Sequence, residues 1–182
     1  MALTRADTLG SVSGPAMTRI VGYQVPGTTN GPAAVRCVYL TNGALLTGFT
    51  LTNGATQMSG DYVTNQCGGA VWCEGLSAVV SNCVLTGSSA GWGGGGAYFG
   101  TLNNCTVISN SAYWSGGGTY ESTLNNCTAM GNGALYGGGA WYGTLNHSTV
   151  SSNSARLGGG IVGGTLNQCT LTGNSAADLG GG

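Results

Sequence analysis

Few residues in this chain could do acid–base chemistry. Asp7, Asp61, Glu74, Glu121 and Asp178 make up the whole acidic complement, beside four Arg, a single His and no Lys. Polysaccharide cleavage by inversion needs two carboxyls held about 6.5–9.5 Å apart, so that a water fits between them. Glu74 and Glu121 are the pair that the chain's repeat brings to one corner. They sit two rungs apart, about 10 Å at ordinary strand spacing. Neither Arg nor His accompanies them, and carboxylates without such partners read as solvated surface groups. The expectation is no catalytic residue, with Glu74 and Glu121 as the alternative pair.

Other chemistries fare no better. His147 is a lone histidine, whereas a zinc site needs three or four ligands, so it reads as a turn residue. Calcium-binding glycine repeats place Asp inside G-G-x-G-x-D. Here only Asp178 lies near a glycine run, and it precedes the glycines. No phosphate-cradling G-x-x-x-x-G-K-[ST] occurs, and the scattered Arg5, Arg19, Arg36 and Arg156 give no basic stripe for nucleic acid. No metal, cofactor or nucleic-acid partner is expected.

Two columns of side chains suggest recognition instead. Trp72, Tyr98, Tyr120 and Trp141 each follow a glycine run by a fixed offset, with Val162 next in the row. Facing solvent, they would form an aromatic ladder on which sugars could stack; facing inward, they would fill the core. Strand continuity from Leu102 favours the second orientation and the Gly-Gly-Ala-Ile-like element favours the first. The other column comprises Thr50/Thr52, Thr106, Thr128, Thr149/Ser151 and Thr170/Thr172. A flat threonine face could order water as ice-binding proteins do, but Ile108 and Met130 interrupt it, and threonine is common in strands anyway.

The element that positions these columns is a repeat. From Gly94 the chain reads GGGAYFGTLNNCTVISNSAYWS, GGGTYESTLNNCTAMGNGALY, GGGAWYGTLNHSTVSSNSARL and GGGIVGGTLNQCTLTGNSAADL. The aligned Leu102, Leu124, Leu145 and Leu166 fall 22, 21 and 21 residues apart. Such a period means units that bury their apolar rows only by stacking on one another. Within a unit, Leu145, Ser148 and Val150 read as inward, and Thr149 and Ser151 as outward, with the period of two of a strand. Asn146 and His147 mark a corner. Asn110, Asn132, Asn153 and Asn174 form a row whose amides could bond up and down the stack. The glycine triplets mark a third corner. Three short strands and three corners in 21–22 residues describe an all-β, right-handed parallel β-helix, the hand following that of parallel β connections in general. A helical reading fails, because Gly, Asn, Ser and Thr break every block.

Cys83, Cys105, Cys127 and Cys169 share one repeat position with Ser148. Interchange with Ser indicates a small core site, and in-register side chains point in parallel, which suits a disulfide poorly. These are expected to be free, buried thiols. Cys67 and Cys73, outside the row, are the one plausible bridge.

Looser coils precede the regular ones, around Leu46–Ala55 and Val80–Ala90. Residues 55–67 (ATQMSGDYVTNQC) read as an insertion protruding from a corner, and 1–34, which hold all three Pro, as an irregular first coil or cap. The solenoid proper is thus expected over 35–182. The N-terminus lacks the apolar core of a signal peptide, and no apolar run could span a bilayer. The last residues, Gly180-Gly181-Gly182, open a coil rather than close one. The expectation is a fragment of a longer array, with Leu166, Cys169 and Leu171 at an open edge able to associate end to end.

Gly68-Gly-Ala-Val71 and Gly158-Gly-Gly-Ile161, with Val107-Ile-Ser-Asn110 and Val150-Ser-Ser-Asn153, resemble a known pattern. They look like the bacterial right-handed parallel β-helix repeats of the pectate-lyase-like superfamily, nearest to polymorphic outer-membrane-protein and autotransporter-passenger repeats. That resemblance implies a secreted or surface-displayed, often adhesive scaffold. The expected function is non-catalytic binding of a glycan or cell surface outside the cell, through Trp72, Tyr98, Tyr120 and Trp141. The alternatives are a degenerate polysaccharide lyase or glycoside hydrolase and, less favoured, an ice-binding protein.

Overall fold

A computed structural model describes residues 1–181 of the chain. Among the described residues there is no helix, and all pairings between named strands are parallel. The result is a parallel β-solenoid of about five turns. It has three sheets of twelve, seven and five strands.

Each coil has four strand-bearing sides rather than the three read from the repeat. The first side stacks Val38–Leu40, Val71–Cys73 and Ala97–Tyr98 on the openings of two longer strands, Thr119–Asn125 and Ala140–Asn146. The second stacks Leu45–Thr47, Val79–Ser81 and Thr101–Asn103 on the ends of the same two strands. These two sides therefore share one sheet. The third side carries Thr50–Thr52 through Thr170–Thr172. The fourth, following the Asn row, carries Ser89–Ala90 through Ser175–Leu179.

Register puts like on like. Leu102 pairs with Leu124, Leu124 with Leu145, and Leu145 with Leu166, while Val107, Ala129, Val150 and Leu171 stack beside them. Leu46, Leu102, Leu124 and Leu145 are fully buried. Burial of such a side chain contributes about 1.5–3 kcal/mol, so the leucine column is the main apolar support of the stack.

Two polar ladders run beside it. Asn110, Asn132 and Asn153 are buried, and each side-chain amide donates to the backbone carbonyl of Leu85, Val107 or Ala129, at 2.9–3.0 Å. Each also donates to the Oδ1 of the next Asn in the row, at 3.0–3.2 Å. The cysteine row is the other. Cys105 Sγ donates to Val80 O at 3.4 Å, and Cys127 Sγ accepts from the Cys105 N–H at 3.3 Å. Ser148 Oγ accepts from the Cys127 N–H at 3.0 Å in the same way. The site therefore asks for a small side chain that both donates and accepts, which is why Cys and Ser exchange there.

All seven cysteines are free. A Cys67–Cys73 bridge is ruled out by the wall between them. Cys73 points into the main core, whereas Cys67 lies with Trp72 and Tyr98 on the other side and donates to Tyr62 O.

Every member of the glycine triplet is required, the third (Gly118, Gly139) because a Cβ would come within 2.3 Å and 2.5 Å of the carbonyls of Gly139 and Gly160. Gly116 and Gly137 hold φ of 61°, in the left-handed region where glycine is free of strain. At Gly117 and Gly138 a Cβ would come within 2.3 Å and 2.4 Å of the carbonyls of Gly133 and Ser154, so any side chain would force the coils apart.

Residues 1–34 add strands to three sides: Ala2–Leu3 on Val38–Leu40, Thr8–Gly10 on Leu45–Thr47, and Arg19–Val21 on Thr50–Thr52. A Tyr23–Val35 bridge then returns the chain to the stack. At the far end Leu166 is 40% exposed, while Cys169 and Leu171 are half-buried against the core. No helix is long and apolar enough to cross a membrane among the described residues.

Candidate functional site: an aromatic corner groove

The inward positions of the first side are Val38, Val71, Ala97, Thr119 and Ala140, all fully buried. Their neighbours Tyr39, Trp72, Tyr98, Tyr120 and Trp141 stand on the opposite face of the same strands, one above another in register. The aromatic column thus faces away from the core. Tyr39 and Trp72 stack with centroids 4.9 Å apart, Trp72 and Tyr98 at 6.0 Å, and Tyr98 and Tyr120 at 5.3 Å, with interplanar angles no larger than 23°. Rings stacked this way show solvent their edges and hide their faces.

Facing outward is not the same as being exposed. Instead of protruding, the 55–67 insertion lies back over the column's first half. Asp61 Oδ1 accepts from the Val63 and Thr64 N–H groups and tightens the loop into a turn. The loop then presents its Val63 carbonyl to Trp72 Nε1 at 2.8 Å and lays Tyr62 on Trp92. Arg36 ties it from the far side through Thr64 O. Trp72 and Tyr98 are left 8% and 5% exposed, and burial pushes the Tyr98 phenol well above its ordinary range. Of the four expected ligand residues, the loop covers Trp72 and Tyr98, while Tyr120 and Trp141 remain half-buried beyond its edge.

Beyond that edge a groove of about 520 Å³ opens along the corner between the first and second sides. Leu76, Phe99, Glu121, Trp141, Tyr142 and Thr144 line it, with Gly143 and Gly164 on its floor. Phe99, Glu121 and Tyr142 are successive members of one corner row, with φ of 52°, 48° and 50°. A bulky residue in the left-handed region costs about 1–2 kcal/mol. Elsewhere the left-handed positions hold mostly glycine, Asn53, Asn82, Asn104, Asn126, Ser109 and Ser152, with Thr29, His147 and Gln168 as the other exceptions. The next coil places Gly163 in this row, and the Tyr142 ring lies across it: a Cβ there would meet the ring at 2.7 Å. Trp141 packs edge-on against Tyr142 at 5.3 Å. The parallel stack ends here, giving way to tilted and edge-on rings.

The two carboxylates of the alternative enzyme reading have different surroundings. Glu74 is engaged by the coil before it, accepting from the Thr41 hydroxyl, from Tyr39 Oη at 2.6 Å and from the Asn42 N–H at 3.0 Å. Those donors, Thr41 foremost, hold its carboxyl below the usual range. Glu121 lies two coils further on and lines the groove, where it is the sole charged residue. Among the described residues the one ion pair is Arg156–Asp178, so no cation neutralises Glu121.

A second aromatic row escaped the sequence reading. Trp92, Trp114 and Tyr136 recur at a spacing of 22 before successive glycine runs, and that spacing was the available signal. Trp92 and Trp114 pack at 5.5 Å, Tyr113 sits edge-on to Trp114, and Tyr136 meets Trp141 at 5.8 Å, which joins the two rows. The threonine face is in register from Thr106 to Thr170, but Val84 interrupts it above, and Ile108 and Met130 interrupt the row beside it. Compared with protein-family models, curated proteins and solved structures, the chain matches none.

Proposed function

We propose that this chain is a non-catalytic β-solenoid scaffold that binds glycan at the corner groove around Trp141 and Tyr142. One observation carries the reading. The outward aromatic column is sealed by the 55–67 loop over its first half and emerges uncovered at a groove whose flanking residues accept strained backbone. Sugars pair apolar C–H faces with aromatic rings and hydroxyls with nearby polar groups, and concave sites with few polar groups suit such ligands. Glu121 and Thr144 supply the polar groups. Display on a cell surface, a pectate-lyase-like ancestry and a right-handed coil belong to the same proposal, supported by the GGAV/GGGI and VxxN elements of the sequence.

A glycan array probed with the native chain and with Trp141→Ala tests it. Binding that falls at least tenfold in the variant, with no change in the glycan, supports the scaffold. Depolymerisation of a bound polysaccharide that disappears in Glu121→Gln would replace the scaffold with an enzyme.

A further inference from the structure

Resting on that reading, we infer that the groove selects glycans carrying protonated amines, with Glu121 as the specificity-determining residue. Three observations converge on it. Glu121 is the only charged residue lining the groove, and no basic side chain pairs with it. An aromatic side chain stands one rung to either side of it in the same corner row, Phe99 before and Tyr142 after, with Trp141 beside the second. Two rungs span about 10 Å, room for one sugar ring between the two aromatics with the carboxylate beneath it. A carboxylate set among aromatic side chains is an arrangement that recognises ammonium groups, by charge and by cation–π attraction together.

The backbone supports the same choice. The row needs left-handed residues, and Gly163 shows that the chain can place glycine there. Instead it holds Phe99, Glu121 and Tyr142 in that conformation, and all three line the groove. Phe99 also packs against the core, but Glu121 gives the core no apolar contact, and strain kept there at a groove-facing position points to the ligand. Glu121 neighbours the Tyr120 hydroxyl of its own coil but bonds no other coil, whereas Glu74 is held by the coil before it through Tyr39, Thr41 and Asn42.

Neutral glycans would meet the rings, the Thr144 hydroxyl and Glu121 as a hydrogen-bond acceptor only, and acidic ones would meet an uncompensated like charge. A free-amine pyranose gains both an ion pair and a cation–π contact. At a half-exposed site the two together amount to about a tenfold gain in affinity.

The test uses three β-1,4-linked hexamers, of glucosamine, N-acetylglucosamine and glucose, titrated calorimetrically into the chain at mildly acidic pH and low salt. The glucosamine hexamer is expected to bind about tenfold more tightly than the other two. Glu121→Gln should erase that advantage, and a thermal melt followed by circular dichroism that matches the native chain shows that the variant is folded. Equal affinity for all three, or an advantage that survives Glu121→Gln, overturns the inference. If Trp141→Ala still weakens every hexamer in that case, glycan binding stands without the cationic preference. A lysine-rich peptide that binds with Glu121 dependence while the glucosamine hexamer does not overturns the saccharide as occupant. Binding of none of the three overturns the inference as well, and the array then decides the glycan reading by itself.

Discussion

Asn132 sits at the middle of a buried amide ladder, and replacing it with Ala isolates what that ladder contributes. Its Oδ1 accepts from Asn110 N at 2.9 Å and from Asn110 Nδ2 at 3.2 Å, and its Nδ2 donates to Val107 O and Asn153 Oδ1. Truncation removes all four bonds. Asn153 Oδ1 keeps a partner in the Asn132 N–H and the Val107 carbonyl keeps its place in the ladder to Thr128–Met130, but the Asn110 N–H loses its partner in a region closed to water. A buried unsatisfied group costs about 1–3 kcal/mol, to which the lost bond to Val107 adds about 1 kcal/mol. Asn174 makes the equivalent bonds to Asn153 and Val150 but is half-buried, so water can replace its amide. Asn174→Ala should therefore cost only about 1 kcal/mol. Urea unfolding of both variants, with the slope compared to confirm a single transition, measures the difference. An Asn132→Ala cost below about 1 kcal/mol, or one no larger than at Asn174, would refute the reasoning and make the row a space-filler.

Four further outcomes follow from the same packing. Leu145→Asp buries a lone charge between Leu124 and Leu166 and should cost several kcal/mol, enough to abolish the cooperative transition in thermal melts followed by circular dichroism. Thr119→Val should do the opposite: its Oγ1 is buried without a partner, so an isosteric methyl raises stability by about 1 kcal/mol, read as a higher urea midpoint. Glu121→Gly relieves the left-handed corner and should also stabilise, by about 1 kcal/mol after the backbone-entropy cost of glycine, while glycan binding falls. Burial raises the thiols of Cys37 to about 11 and of Cys67 and Cys73 to about 12, against an unfolded value of 9.0. Each then favours the fold fully below pH 9.0, and the unfolded chain sheds protons first as pH rises, so stability declines from about pH 9 to about 12. Cys73→Ala should flatten that decline in pH-dependent denaturation.

What could be read from sequence was what the repeat multiplies. The leucine column, the Asn row and the Cys/Ser row each recur four or five times, and all three occupy the inward positions expected of them. The fourth side was missed because its strands begin as the two-residue Ser89–Ala90 and Ser111–Ala112, too short to show a period of two. The orientation of the aromatic column was ambiguous for a definite physical reason. Counting back by twos from Leu124 places Tyr120 inward, yet Thr119 is the buried residue. Left-handed Glu121 kinks the strand between them and resets the alternation, as Phe99 and Tyr142 do one coil before and after. Nothing in the residue types announces that conformation, since Glu, Phe and Tyr rarely adopt it. The cover over Trp72 and Tyr98 was equally hidden: a turn made by Asp61 and a carbonyl offered by Val63 are local bonds that no periodicity encodes.

Function in such an array belongs to the positions where the repeat is broken. A residue required by stacking must suit every coil, so a column serving the fold becomes uniform, as the leucines do. The corner row instead runs Phe99, Glu121, Tyr142, Gly163, four chemistries at one backbone conformation that glycine alone would satisfy. The backbone imposes the same demand at each, so the differences are left over from folding and remain available for recognition. The insertion follows the same logic. By covering Trp72 and Tyr98 it removes the part of the aromatic column that is most regular, and it leaves open the stretch where stacking gives way to tilted rings around a carboxylate. The repeat-breaking positions of the groove should therefore tolerate change, at Glu121 and Tyr142, without loss of the solenoid, whereas Asn132 and Leu145 should not. That contrast between binding and stability, measured on the same four positions, is the one a purely structural role for the corner could not produce.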